Sequence, residues 1–157
     1  MNGHIRVRAG AVIIEHDSIL LVEFHDENGL HYNLPAGGVE PNETVKEAVR
    51  REALEEASVD VEVGSIAFVY EYAPHENNFK YGETHSLQLL FECSMKEGST
   101  ARMPKTPDTN QTGVRWVPLT ELNSIILYPN IRQQLIDYVG EKENINIIEE
   151  ISLPEYR

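Results

Sequence analysis

Three carboxylates, Glu52, Glu55 and Glu56, fall within five residues of a segment that reads as one helix. Like charges this close raise each other's pKa and resist sharing a site, unless a cation joins them. A hard divalent ion such as Mg²⁺ takes oxygen ligands, keeps several of its waters and bridges a few carboxylates to the phosphates of a substrate. Upstream lies Ala36-Gly37-Gly38, a glycine-rich turn whose backbone can approach a phosphate or an ion closely. Glu43 and Arg51 stand between the two. Metal-assisted chemistry on a phosphorylated molecule is what this spacing would serve.

The helix has a local start signal. Thr44 followed by Glu47 makes a capping box, which predicts a helix from about Val45 to about Ala57. On a 3.6-residue period Val45, Ala48 and Val49 share an apolar face, with Ala53 and Ala57 at its edge, and one further turn brings in Glu52, Glu55 and Glu56. An acidic helix face is ordinarily solvated. Here the acids prolong the core-facing stripe, which a purely structural helix has no reason to do.

Gly37, Glu43, Arg51, Glu52, Glu55, Glu56 and Val59 stand at the spacing G-x5-E-x7-R-E-U-x-E-E-x-G-U, U being apolar, and residues 37–59 resemble the Nudix box. Two positions depart from it. Ser58 replaces the glycine at the end of the helix, where glycine gives a left-handed cap without steric cost, and Asn42 replaces a glycine often found before the first glutamate. The strands ahead of the box and the later Gly113-Val114-Arg115-Trp116-Val117-Pro118-Leu119 run also look like a Nudix domain, so the resemblance extends over nearly the whole chain.

The resemblance implies an α/β (α+β) Nudix fold, a mixed sheet between helices in an α/β/α sandwich, with residues 1–157 as a single domain. It implies Mg²⁺- or Mn²⁺-dependent hydrolysis of a nucleoside diphosphate linked to another moiety X, by attack of water on phosphorus. Glu55 and Glu56 are the first candidate metal ligands. Glu52 is a further ligand or the general base, and the Ala36 carbonyl an additional ligand. Arg51 and Glu43 would orient the carboxylates and the loop, Arg51 having the alternative of a surface pair with Glu47 or Glu55. Asp108 and Glu83 are candidates for a fourth carboxylate, and His85 is read as structural. Gly37, Gly38, Arg8 and Tyr32 are candidate substrate contacts, with Arg6, Phe79, Tyr81 and Tyr128 as further possibilities, and Trp116 is assigned to the core. Alternative functions on this fold are a nucleotide-sensing domain without catalysis and an isopentenyl-diphosphate isomerase. A sensor would be expected to have lost box carboxylates, which are all present, and the isomerase needs cysteine and histidine chemistry that one cysteine, Cys93, does not supply.

At 157 residues, 41% hydrophobic and 25% charged, the chain has the composition of one globular domain. Its net charge of −13 argues against nucleic acid as a partner, and it admits phosphates only where a metal accompanies them. No apolar run is long enough to span a membrane and residues 1–10 carry no apolar signal core. A lone cysteine forms no internal disulfide. The expectation is a cytoplasmic monomer or homodimer acting on a small nucleoside diphosphate derivative.

Around the helix, Val7–Glu15 and Ile19–Phe24 read as a hairpin, His31–Leu34 as a short strand stopped by Pro35, and Asp60–Tyr72, His85–Ser94 and Val114–Val117 as further strands. Residues 96–112 form a long loop. A helical turn follows Pro118, and a final helix opens with Pro129 at its first position and runs to about Val139. The stretch 144–151 is either an added strand or a partner contact.

Overall fold

The computed structural model describes residues 3–140, 145 and 147–156. β1 (Arg6–Glu15) and β2 (Ser18–Asp26) form the expected hairpin, followed by β3 (Gly29–Asn33), β4 (Ala36–Gly38) and helix α1 (Val45–Ala57). Then come β5 (Val61–Tyr72), β6 (Ser86–Met95), β7 (Gln111–Pro118), β8 (Leu127–Tyr128), α2 (Arg132–Gly140) and β9 (Ile147–Glu149). Among the described residues these strands make one mixed sheet in the order β8-β3-β2-β1-β6-β5-β9, with β4 added to β1 and β7 to β2. β1 runs parallel to β6, β3 to β8 and β5 to β9.

The sheet is covered on both faces, which explains why β1 and β2 read as unbroken apolar runs instead of alternating ones. Side chains still alternate by two along each strand. Ala9, Ala11 and Ile13 of β1 and Leu20 of β2 pack with Ala48, Val49, Ala53 and Ala57 of α1. Val12, Ile19 and Leu21 pack on the other side with Leu122, Ile131 and Leu135 around α2. Each fully buried Leu or Ile contributes on the order of 1.5–3 kcal/mol by leaving water.

One topological detail makes the site. β1 and β2 pair only at Ile14↔Ile19 and Glu15↔Ser18. Beyond that point β1 turns to β4, through Arg8↔Gly38, Ala9↔Gly37 and Gly10↔Ala36, while β2 continues against β3 and β7. The sheet forks, and β4 with the C-terminal half of α1 sits in the fork.

Several expectations are revised. The glycine-rich turn at 36–38 is the short strand β4, because β1 offers it a free edge. Pro129 lies ahead of the final helix, which begins at Arg132, since Tyr128 is held in the extended pairing of β8 with β3. Trp116 is 37% exposed and not core; the alternation of β7 turns Val117 inward and Trp116 outward. In the stretch 144–151, Ile147–Glu149 form an added strand on β5, while Asn144 and Asn146 lie outside the described residues. No helix among the described residues is long and apolar enough to cross a membrane.

Candidate active site

Helix α1 carries most of the candidate site, and its two ends are set by local chemistry. Thr44 Oγ1 accepts from the Glu47 amide at 3.1 Å while Glu47 Oε1 accepts from the Thr44 amide at 2.8 Å, the reciprocal capping box. At the other end Ser58 adopts the left-handed conformation, φ 61°, and its amide and that of Val59 return to the carbonyls of Leu54 and Ala53. Asn42 is also left-handed, φ 66°. Both departures from glycine in the box therefore keep the backbone that glycine would have given.

Between these ends the helix buries Glu52 and Glu56, at 9% and 7% exposure, beside Ala53 and Ala57. The Glu55 side chain is 58% exposed and stands at the rim. The three acids form one wall of a cleft of ≈ 410 Å³ whose other contributors include Arg6, Arg8, Ala36, Gly37, Gly38 and Asp108. Glycine is required at Gly37, where a side chain would run into the Glu52 carboxylate. A Cβ on Gly38 would meet Arg6 Nη2 at 2.6 Å.

Arg51 organises the charges. Its Nε and Nη2 donate to Glu43 Oε2 and Oε1 at 2.6 and 3.0 Å, and Nη2 also reaches the Gly38 carbonyl at 3.0 Å. Nη1 donates to Glu52 at 2.7 Å and to Glu55 at 3.2 Å. These bonds raise the Arg51 pKa, Glu43 foremost, and the Arg51 contact holds the Glu43 carboxyl below the usual carboxylate range. The alternative of a simple surface pair for Arg51 is thereby revised, since one guanidinium binds three carboxylates and a β4 carbonyl.

Among the described residues no guanidinium hydrogen-bonds to Glu56, although Arg8 is near enough to attract it. Glu56 Oε1 accepts from the Ala36 amide at 3.0 Å. Burial, with the neighbouring Asp108, pushes its carboxyl up to about 9. Burial likewise raises Glu52, with Arg51 pulling the other way. Arg8 is lowered by burial and by Arg6, and its Nε donates to Gln88 at 3.1 Å.

Asp108 lines the cleft and Glu83 does not, so of the two outlying acids only Asp108 faces the helix carboxylates. A residue without any sequence signal holds it there: Gln111 accepts from the Asp108 amide at 3.1 Å and donates from Nε2 to the Glu56 carbonyl at 2.8 Å.

Other candidates lie elsewhere. Tyr32, expected at the substrate, is 7% exposed in the core, and its hydroxyl donates to Glu23 at 2.8 Å; β3 pairs Tyr32 with Glu23 and turns it away from the cleft. His85 pairs with Glu71 at 2.8 Å. Tyr81 and Tyr128 line a separate pocket of ≈ 650 Å³ with Tyr70, Tyr72 and Tyr156, and Asn33 borders both this pocket and the carboxylate cleft. Phe79 is exposed outside it. Phe24 and Asn33 of the cleft wall were not anticipated, because nothing in their neighbourhood along the chain marks them.

The donors lining the cleft are carboxylate and carbonyl oxygens, with no cysteine or histidine among them, a set suited to a hard divalent ion. Among the described residues no three acidic, cysteine or histidine side chains are already drawn together at metal-ligand spacing. That agrees with the pairing seen here: Glu52 leans on Arg51, and Glu56 on the Ala36 amide.

A model of the NUDIX domain matches residues 4–138. The chain belongs to the Nudix family. Together with its diphosphatase and phosphatase relatives, the match supports a pyrophosphohydrolase, and the forked mixed sheet is the Nudix fold. It is 27% identical over 136 residues to a Bacillus subtilis protein named "Putative 8-oxo-dGTP diphosphatase", covering 87% of this chain and 80% of that one. It is 30% identical over 109 residues to the human 8-oxo-dGDP phosphatase NUDT18, covering 69% of this chain but only 30% of the human protein. A Nudix hydrolase crystal structure from Nitrosomonas europaea superposes with a TM-score of 0.71 at 21% identity, covering 95% of this chain and 81% of the other.

Proposed function

We propose that this Nudix protein hydrolyses the pyrophosphate bond of a nucleoside diphosphate linked to a further moiety X, with Mg²⁺ or Mn²⁺ bound by Glu55, Glu56 and Glu52 and by the Ala36 carbonyl. The observation that carries this reading is the single wall on which Glu52, Glu55 and Glu56 stand, with Asp108 brought against Glu56 in the same cleft. When bound, the metal supplies charge neutralisation of the diphosphate and lowers the pKa of an attacking water.

The rest of the reaction falls to the chain's own residues. Water loses a proton, its oxygen bonds to one phosphorus, and the bridging P–O bond breaks with its electron pair going to the departing phosphate. Glu52 is the candidate to receive the proton when it is not a ligand; burial raises its pKa, against the pull of Arg51. The acids titrate as a coupled set. Arg51, clamped by Glu43, fixes the direction of Glu52 and Glu55. Gly37 and Gly38 let the Glu52 carboxylate and the Arg6 guanidinium close directly onto β4, and Arg6 and Arg8 give the cleft positive charge beside the acids. The names of the 8-oxo-dGTP and 8-oxo-dGDP relatives favour a nucleotide as the substrate.

The test is product release from nucleoside triphosphates, ADP-ribose, nucleotide sugars and dinucleoside polyphosphates, each with Mg²⁺ and with EDTA. Metal-dependent cleavage of one class is expected. Nucleotide binding without cleavage of any of them would favour the sensing alternative.

A further inference from the structure

Ser58 holds φ 61° and ψ 24°, backbone that glycine adopts freely and other residues adopt at a cost, and it does so where the Nudix box carries glycine. Strain kept at one residue is a reason to ask what its side chain does. Ser58 lines a second cleft, of ≈ 590 Å³, together with Leu54, Arg102, Lys105 and Thr106. This cleft also includes Glu55 and Asp108, the same two acids that border the carboxylate cleft, so the two clefts meet across them.

The far wall of the second cleft is the loop between β6 and β7, and it is fastened at both ends. The Arg102 amide donates to the Ala57 carbonyl at the end of α1, 3.0 Å, and Gln111 ties Asp108 to the Glu56 backbone. Its polar groups are largely uncommitted. Among the described residues the Arg102 guanidinium makes one bond, 3.4 Å to the Thr100 carbonyl of its own loop. Lys105 and the Ser58 and Thr106 hydroxyls have no hydrogen-bond or ion-pair partner among the described residues.

Such cations are scarce in a chain with 13 Lys and Arg against 26 Asp and Glu. In the carboxylate cleft Arg51 is already bound by Glu43, Glu52 and Glu55, and Arg8 shares its Nε with Gln88. A diphosphate lying along the acids would thus meet Arg6 and Arg8 at one end and Arg102 and Lys105 at the other. We infer that the second cleft receives the X side of the substrate, and that X presents a phosphate there to Arg102 and Lys105 with the Ser58 and Thr106 hydroxyls as donors. This rests on the hydrolase reading of the adjoining site.

The experiment compares the full chain with its Arg102→Gln/Lys105→Gln double variant, both residues being exposed. The substrates are a nucleoside triphosphate, whose X is a phosphate, and a nucleoside diphosphate sugar, whose X is uncharged. Without the two cations to bind that phosphate, KM for the triphosphate should rise about tenfold with kcat nearly unchanged, and KM for the sugar should barely move. Calorimetry with inorganic pyrophosphate and Mg²⁺ should show binding weakened by a similar factor. Equal losses for both substrates, loss for neither, or a wild-type protein that cleaves the sugar and not the triphosphate would overturn the inference. If neither substrate is cleaved, the hydrolase reading is judged by the wider substrate panel, and the calorimetry still decides the cleft: pyrophosphate affinity unchanged in the double variant overturns it, and weakened affinity supports it.

Discussion

Arg51 grips both oxygens of Glu43, at 2.6 and 3.0 Å, and the same guanidinium then reaches Glu52 at 2.7 Å. A planar fork with fixed donors makes this possible, and a lysine ammonium cannot reproduce it. Arg51→Lys should therefore cost about 10–100-fold in activity or metal affinity, the usual effect of removing a group that orients ligands. Mn²⁺ titration beside steady-state kinetics checks it. Wild-type values for both would reduce Arg51 to a structural clip between α1 and β4.

Glu56 gives a pH prediction. Its folded-state pKa, about 9, lies above the ordinary value of 4.5, with burial the main cause. In metal-free protein the folded state then keeps a proton that the unfolded state gives up, so stability should fall as pH rises from about 4.5 towards 9 and level off above. Binding of Mg²⁺ at pH 7 should release that proton, read by calorimetry in buffers of different ionisation enthalpy. Glu56→Gln mimics the protonated form. It should abolish the proton release and flatten that part of the stability profile while lowering turnover at least about a hundredfold. Full turnover in this variant would remove Glu56 from the reaction.

Helix α1 was legible from the sequence at both ends, because a capping box and an apolar stripe are local signals. The convergence of Glu52, Glu55 and Glu56 on one wall was legible for the same reason, whereas the exposure of Glu55 beside two buried neighbours depends on how β4 closes over the helix. What could not be read is set by pairings distant along the chain. Tyr32 goes to the core because its cross-strand partner is Glu23, and the three-residue β4 exists only because β1 leaves it an edge. The loop bearing Arg102 and Lys105 has no hydrophobic period, so nothing along the chain places it beside the end of α1.

Glu23 is the buried hub that keeps Tyr32 where it is. Burial works to raise its pKa, but hydrogen bonds from Arg115 at 2.6 Å, Tyr32 at 2.8 Å and Thr112 at 2.9 Å prevail and lower it. A lowered carboxylate contributes stability that is present above its unfolded value of 4.5 and is lost as pH falls through the lower folded value. Glu23→Gln should destabilise the protein by roughly 1–3 kcal/mol at pH 7, since charge-assisted bonds become neutral ones and the partners stay behind. The difference from wild type should shrink below pH 4.5. Thermal unfolding across pH 3–7 tests both statements, and a pH-independent difference would mean that packing, not charge, is what Glu23 provides.

Ser58 supplies a prediction in which stability and use pull apart. Replacing a left-handed serine by glycine removes roughly 1–2 kcal/mol of clash between Cβ and the backbone, offset in part by about 0.4–1 kcal/mol of extra unfolded-chain entropy, which leaves a net gain of up to about 1 kcal/mol. Ser58→Gly should accordingly raise the unfolding temperature by a few degrees, as that free energy does in a domain of this size. Its backbone bonds to Leu54 and its neighbour's to Ala53 need no side chain and should persist. A variant that is more stable than wild type yet binds pyrophosphate less well would mean that the serine is kept for the cleft it lines, against the preference of the helix it ends. Lower stability in Ser58→Gly would instead mean that the hydroxyl supports the fold, and the strain argument for the second cleft would lose its footing.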